Sequence, residues 1–106
     1  MFHHTVLLRL APDADADFLA RFACYEAAVR EGCAGALLYR LLPNGAPSGK
    51  GFTHALFSAF ESHAAFTDYD RSALHTKIKA FLGPYVVELV VADGDDDAPP
   101  SACGGR

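Results

Sequence analysis

Two segments of this sequence are hydrophobic on both of their alternating faces, and this limits the folds open to the chain. In residues 85–92 (YVVELVVA) Glu88 is the only charged side chain, and four of the eight residues are valine, which favours a β-strand. Residues 52–60 (FTHALFSAF) also alternate, with Leu56 on one face and Phe57 on the other. Helices that cover one face of a sheet leave the second face bare. The pattern therefore predicts that something else covers it.

A second copy of the chain is the simplest cover for that face. Exposed apolar patches of this size are uncommon on soluble monomers, and two identical sheets can pack face to face about a two-fold axis. At ~25 cal/mol per Å² of apolar area buried, such an interface has a large gross driving force before the costs of association. We predict a homodimer formed by sheet-to-sheet packing.

The order of the predicted elements is β-α-β-β-α-β. A helix over residues 16–31 has Phe18, Phe22, Tyr25 and Val29 on one face, as an amphipathic helix requires. The other elements follow from alternation, caps and the Gly83-Pro84 stop: strands at 4–10, 36–42, 52–60 and 85–92, and helical pieces after Ser62 and after Ser72. This order predicts a ferredoxin-like α+β sandwich with a four-stranded antiparallel sheet.

The chain of 106 residues has room for one core only. We predict one domain over residues 1–93. Residues 94–106 (GDDDAPPSACGGR) are acidic and rich in proline and glycine, so they are expected to form a disordered tail. The glycine- and proline-rich loop at 43–51 is expected to be mobile or to form a lip over a site.

Composition argues against several classes of partner. The net charge is −4 and no Lys/Arg run occurs, so no nucleic-acid partner is expected. No apolar run approaches the ~18 residues that a membrane span needs. The three cysteines include no C-x-x-C pair, which favours a cytoplasmic protein without disulfides. Cys24, within the first helix, is expected to be a small buried side chain.

Tyr69 and His75 are the strongest candidates for chemistry. In one continuous helix they would lie ~240° apart, but a predicted break at residues 70–72 would let both rings face one pocket. An imidazole can then accept a proton, and a phenol can orient it or polarise a carbonyl. The alternative is a core tyrosine with its hydroxyl at the rim and a surface or capping histidine, and the spacing alone favours this alternative.

His4 and His54 lie on strands beside apolar residues. Each is interpreted either as a core or interface histidine with a satisfied ring N–H or as a substrate-binding residue. Convergence of His4, His54 and His75 on a metal is a third interpretation, but no closely spaced ligand pair supports it. No metal or other cofactor is therefore expected.

The segments HTVLLRL, GFTHALFSAFES and AAFTDYDRSALHTKIKAFLGPYV resemble the stress-responsive dimeric α/β-barrel (Dabb) family over roughly residues 2–93. The resemblance implies a dimeric α/β barrel, in agreement with the two-faced strands. In plant polyketide cyclases of this family, a tyrosine and a histidine at this spacing act as a hydrogen-bonded pair. The resemblance thus implies His75 as general base, Tyr69 as its orienter, and His4 and His54 as residues that line or support the pocket. One departure is Ser72-Ala73, where the family often has His-Pro.

Three functions remain open from the sequence. The favoured one is a dimeric stress-responsive-type barrel of unassigned reaction that binds a small apolar or aromatic molecule. The second is a cyclase- or isomerase-like enzyme that uses His75 and Tyr69. The third is a ferredoxin-like monooxygenase, although nothing in the sequence requires a haem. Whether the protein is an enzyme is left open.

Overall fold

A computed structural model describes residues 1–97 of the chain. Its elements in chain order are β1 (Phe2–Leu10), α1 (Ala16–Gly32), β2 (Ala36–Pro43), β3 (His54–Phe60), α2 (His63–Asp70), α3 (Ala73–Leu82), a 3₁₀ turn (Gly83–Tyr85) and β4 (Val86–Asp95). The four strands form one sheet in the order β2-β3-β1-β4, and every neighbouring pair is antiparallel. The predicted ferredoxin-like fold class is confirmed.

The main core lies between the helices and one face of the sheet. Its register places Val6 of β1 opposite Leu56 of β3 and Val91 of β4. The side chains that are almost fully buried are Leu8, Phe18, Phe22, Val29, Tyr39, Phe60 and Ile78. The apolar face of α1 predicted from the sequence supplies three of these seven, so the periodicity identified the correct face.

Side-chain caps set the starts of α1 and α2. Asp15 accepts a hydrogen bond from the backbone N–H of Phe18 at 3.0 Å, and Ser62 accepts one from Ala65 at 3.1 Å. Each cap satisfies one of the backbone donors that a helix start leaves unpaired.

The prediction that Cys24 is buried is wrong. This side chain is exposed, because it lies about 200° around α1 from the buried Phe22.

The predicted break divides the last helical region into α2 and α3. Ser72 caps α3 by accepting from the backbone N–H of His75 at 3.1 Å, and its hydroxyl donates to the carbonyl of Tyr69 at 2.6 Å. One side chain thus joins the end of α2 to the start of α3. The break places Tyr69 in the last turn of α2 and His75 in the first turn of α3.

The final strand is longer than predicted. β4 continues to Asp95, two residues past the predicted domain limit at 93. The reason is that β1 begins at Phe2 instead of at His4, so that Phe2 pairs with Asp95 and His3 pairs with Gly94. The terminal ammonium of Met1 then contacts Asp96 and Asp97 at 2.9 Å each, and these carboxylates raise its pKa to about 10. Residues 98–106 lie outside the described part, so the disordered tail remains a prediction there.

The face of the sheet opposite the helices is apolar and exposed. We call Leu38, Leu42, Phe57 and Val90 the open face; pairing places them on the side opposite the buried face, and they are 37–47% exposed. The structure therefore confirms that the strands are apolar on both faces of the sheet.

Within residues 1–97, no helix is long and apolar enough to span a membrane.

Candidate functional site

A cavity of about 540 Å³ lies between the helix-covered face of the sheet and α3. Most of its wall is apolar, contributed by Val6, Leu8, Leu56, Ile78, Leu82, Val86, Leu89 and Val91. Leu89 and Val91 are still 51% and 48% exposed, so the cavity opens to solvent along β4. The cavity is large enough for a small organic molecule.

A β-bulge in β4 helps to shape this wall. Leu10 pairs with Val86 while Arg9 pairs with Glu88, so Val87 is the extra residue between two pairs. Val86 consequently joins Leu89 on the cavity side, and Val87 is 65% exposed. Simple alternation over the predicted strand placed Val86 and Leu89 on opposite faces, and the bulge corrects that assignment.

The polar side chains that line the cavity are His4, Tyr39, Tyr69, Asp70, His75 and Lys79. Tyr39 and Tyr69 form a direct pair, with their hydroxyl oxygens 2.6 Å apart. Tyr39 is fully buried and Tyr69 is 4% exposed. Burial disfavours the phenolate form, and it raises the pKa of Tyr39 to about 12 and that of Tyr69 still further. Both phenols are therefore neutral hydrogen-bond donors at ordinary pH.

His75 is held by the backbone at the end of α2. Its Nδ1 lies 2.8 Å from the carbonyl oxygen of Asp70 and 3.6 Å from the Asp70 carboxylate. A carbonyl oxygen can only accept, so Nδ1 carries the hydrogen, and Nε2 of the neutral ring keeps its lone pair. The helix break thus fixes the tautomer of His75 as well as its position.

Tyr69 and His75 meet through their rings. The ring centroids are 4.9 Å apart and the planes are inclined by 60°, an edge-to-face contact. The expected hydrogen bond between the two side chains does not occur within the described residues, because the hydroxyl of Tyr69 pairs with Tyr39 and Nδ1 of His75 with Asp70. The pair is adjacent, but Asp70 and not Tyr69 orients the imidazole.

His4 enters the same cavity from β1. Asp93 lies directly opposite on β4, and its carboxylate is 2.5 Å from Nδ1 of His4. The ring also packs on Phe66, with centroids 4.6 Å apart. As at His75, an acceptor on Nδ1 leaves Nε2 of the neutral ring without a hydrogen.

His54 stands apart from these residues. It begins β3, does not line the cavity, and its Nδ1 pairs with the hydroxyl of Thr53 at 2.8 Å. Partial burial lowers its pKa. The sequence predicts His54 as a residue that lines or supports the pocket, but the structure places it outside the cavity lining. The three histidines considered as metal ligands do not converge, since only His4 and His75 reach the cavity.

Sequence reasoning missed Tyr39, Asp70 and Asp93 as parts of this site. Tyr39 stood within an apolar run, ALLYRLL, and its hydroxyl was the available signal, because a buried phenol needs a partner. Asp93 was placed at the end of the predicted domain, one residue beyond the predicted last strand, and no role was given to it. Asp70 contributes mainly a backbone carbonyl, which no side-chain pattern indicates.

The polar groups that line the cavity can donate a hydrogen bond to a ligand and accept a proton from it. One of the two paired phenols keeps an O–H that can donate to a carbonyl or hydroxyl oxygen, and Nε2 of a neutral imidazole can accept a proton. These groups lie in a mostly apolar cavity, where hydrogen bonds are electrostatically stronger than in water.

Solved structures with the same fold come from plants and bacteria. A protein from Arabidopsis thaliana has a TM-score of 0.79 at 16% identity, covering 96% of this chain and 98% of its own. A hydroxynitrile lyase from Passiflora edulis has a TM-score of 0.77 at 18% identity, covering 93% and 96%. A protein from Bacteroides fragilis, described as dimeric, ferredoxin-like and of unknown function, has a TM-score of 0.71 at 17% identity, covering 89% and 94%.

At these identities the likeness shows the fold alone. No curated protein sequence matches the chain. The sequence profile of one family, described as the Stress responsive A/B Barrel Domain, matches residues 2–96, which is nearly the whole of the described structure. Because this match covers most of the chain, the chain belongs to the stress responsive A/B barrel (Dabb) family.

Proposed function

We propose that this protein is a homodimer and that each protomer binds a small apolar or aromatic molecule in the cavity beside α3. The observation that carries the proposal is the cavity of about 540 Å³, apolar over most of its wall, with phenols and imidazoles among its lining. This combination of apolar walls and a few placed polar groups is typical of small-molecule sites.

The open face supports the dimeric state. Leu42 and Phe57 are 37% and 41% exposed on a face that no helix covers, so a second sheet would remove apolar surface from water. Two-fold packing makes such a surface complementary to itself. The similar structure from Bacteroides fragilis is described as dimeric, and the same arrangement is proposed for this chain.

Ligand binding can be tested by blocking the cavity. Val91 lines the cavity and is half exposed, so Val91→Trp should fill the site while the chain still folds. Val87→Trp is the matched control on the same strand, outside the cavity. Binding of small aromatic probes such as ethylbenzene, followed by NMR chemical shifts, should be lost in the first variant and kept in the second. Equal binding by both variants, or none by the wild type, contradicts the proposal.

A second candidate function is proton-transfer catalysis of the cyclase or isomerase kind, with His75 as general base. The observation that favours it is the contact between Nδ1 of His75 and the Asp70 carbonyl at 2.8 Å, which leaves Nε2 as the basic nitrogen. Tyr69, beside it, would contact the substrate oxygen. A hydroxynitrile lyase among the similar structures indicates that the fold can host an enzyme.

The enzymatic candidate is tested by turnover of poly-β-ketoacyl thioesters by the wild type and by His75→Ala. His63→Ala is a suitable control, because His63 is exposed and does not line the cavity. Loss of turnover in His75→Ala alone supports a base at this position. Equal rates in all three proteins remove His75 from the mechanism.

The monooxygenase alternative is supported by similarity of fold alone. One similar structure is a candidate antibiotic biosynthesis monooxygenase from Nitrosomonas europaea, at 12% identity.

A further inference from the structure

The geometry points to Tyr39 as a positioning residue for ligand recognition: its buried hydroxyl donates to the hydroxyl oxygen of Tyr69 and so directs the proton of Tyr69 into the cavity, toward a ligand carbonyl. This inference rests on the proposed binding of a small molecule in the cavity. It assigns a role to Tyr39, which is not part of the Tyr69–His75 pair, and it specifies a carbonyl compound as the chemical class of the ligand.

Burial sets the direction of the hydrogen bond between the two phenols. Tyr39 is fully buried, and within residues 1–97 the only partner of its hydroxyl is the oxygen of Tyr69, 2.6 Å away. A buried O–H that donates to nothing is costly. The arrangement that satisfies Tyr39 is therefore the one in which Tyr39 donates and Tyr69 accepts.

The proton of Tyr69 must then find another acceptor. Its hydroxyl has no second partner in the described part of the chain, and the residue lines the cavity and is 4% exposed. An acceptor can reach it from that side. Burial raises the pKa of both phenols, so both protons are in place at neutral pH.

The acceptor that suits this site is a carbonyl oxygen. Both phenols are neutral, and the ammonium of Lys79 in the lining is matched by the carboxylate of Asp70, so the site has no net positive charge to compensate a carboxylate ligand. A hydroxyl that itself accepts a hydrogen bond becomes a stronger donor, so Tyr39 should strengthen the bond that Tyr69 makes. The surrounding wall is apolar. The class indicated is a small aryl or alkyl ketone or aldehyde.

The test compares two probes of similar shape, acetophenone and ethylbenzene, which differ by a carbonyl in place of a methylene. Dissociation constants are measured by NMR titration for the wild type, Tyr39→Phe, Tyr69→Phe and the control Tyr25→Phe, since Tyr25 lies on α1 outside the cavity lining. Tyr69→Phe should weaken acetophenone about 5- to 10-fold and Tyr39→Phe about 2- to 4-fold, given ordinary hydrogen-bond strengths. Ethylbenzene should bind all four proteins alike.

A spectroscopic readout separates positioning from a general effect on structure. The carbonyl stretch of ¹³C-labelled acetophenone bound to the wild type should lie at lower frequency than in hexane. The shift should be smaller in Tyr39→Phe and absent in Tyr69→Phe. A purely structural change would lower occupancy but would not move the frequency of the bound fraction.

The outcomes distinguish this inference from the proposed function. If neither probe binds the wild type, ligand binding in the cavity fails and this inference fails with it. If both probes bind but the wild type shows no carbonyl shift, the cavity proposal stands and the phenol pair is not a carbonyl site. If Tyr39→Phe leaves both the carbonyl shift and the acetophenone affinity unchanged, Tyr39 has no positioning role.

Discussion

The two faces of the single sheet are similar in sequence and different in use. On the helix-covered face, Leu8 and Phe60 are almost fully buried, and the packing leaves a cavity next to α3. On the open face, Phe57 and Val90 have neighbours in the sheet but are 41% and 47% exposed. Hydrophobicity of a strand face therefore does not say whether the helices of the same chain cover that face.

The covered face also carries the polar site, and the open face does not. Each imidazole in the cavity is held at Nδ1, His75 by a backbone carbonyl and His4 by the carboxylate of Asp93. Both arrangements leave Nε2 of the neutral ring as the reactive nitrogen. In this chain the paired phenols and imidazoles lie where the helices and the sheet do not pack completely, whereas the open face has a large apolar area that suits association.

The largest effect expected from this comparison is on the stability of the core. Phe22→Ala removes a buried ring and should lower the free energy of unfolding by about 3–5 kcal/mol. Phe57→Ala removes the same ring from the open face, so at protein concentrations where the monomer predominates it should cost much less. Chemical denaturation at several protein concentrations measures both. A similar loss in the two variants at low concentration would mean that the faces do not differ as described.

The next prediction concerns assembly. Val90→Glu places a charge on the open face, opposite Leu7, and should convert the proposed dimer to a monomer, because a carboxylate buried between two sheets is costly unless it is paired. Light scattering should then report half the mass of the wild type. Ala23→Glu, an exposed position on α1, is the control and should remain dimeric. A monomeric wild type at micromolar concentration would overturn the proposed assembly.

The phenol pair predicts a loss of stability in alkali. The folded-state pKa of Tyr39 is raised to about 12, above the ordinary value of about 10 for an unfolded chain. The unfolded state therefore loses its proton first, and the stabilisation present below pH 10 declines by up to about 1.4 kcal/mol per pH unit for each such phenol as the pH rises toward 12.

Urea denaturation between pH 9 and 12 measures this slope. Tyr39→Phe should flatten it, whereas Tyr25→Phe, the control on α1, should not. A slope that is unchanged by Tyr39→Phe would show that Tyr39 does not stay protonated in the folded state.

The smallest expected effect distinguishes two helix caps of the same chemistry. Ser62→Ala and Ser72→Ala each remove a hydroxyl that accepts a backbone N–H, and each should cost about 1 kcal/mol. Only Ser72 also joins α2 to α3, so only Ser72→Ala should displace His75 and weaken ligand binding. Thermal unfolding and NMR titration measure the two effects. Equal ligand affinity in both variants would contradict a role for the Ser72 cap in forming the site.

The sequence indicated some of the residues of the candidate site, and there are physical reasons why it did not indicate the others. The break before Ser72, and with it the approach of Tyr69 and His75, followed from a capping residue and its neighbours, which act within one helical turn. The partner of Tyr69 could not be predicted in this way, because Tyr39 lies 30 residues earlier in the chain. The contact between His4 and Asp93 spans 89 residues and depends on strand register.

The sequence by itself determined the order of strands and helices, the buried face of α1 and the presence of two apolar sheet faces, because periodicity and caps are properties of neighbouring residues. Only the tertiary structure decided that the hydroxyl of Tyr69 pairs with Tyr39, that Asp70 holds His75, that His54 lies outside the site and that a bulge turns Val86 toward the cavity. These depend on how closely helices and sheet can approach one another, and a space left between packed elements is a property of the whole fold.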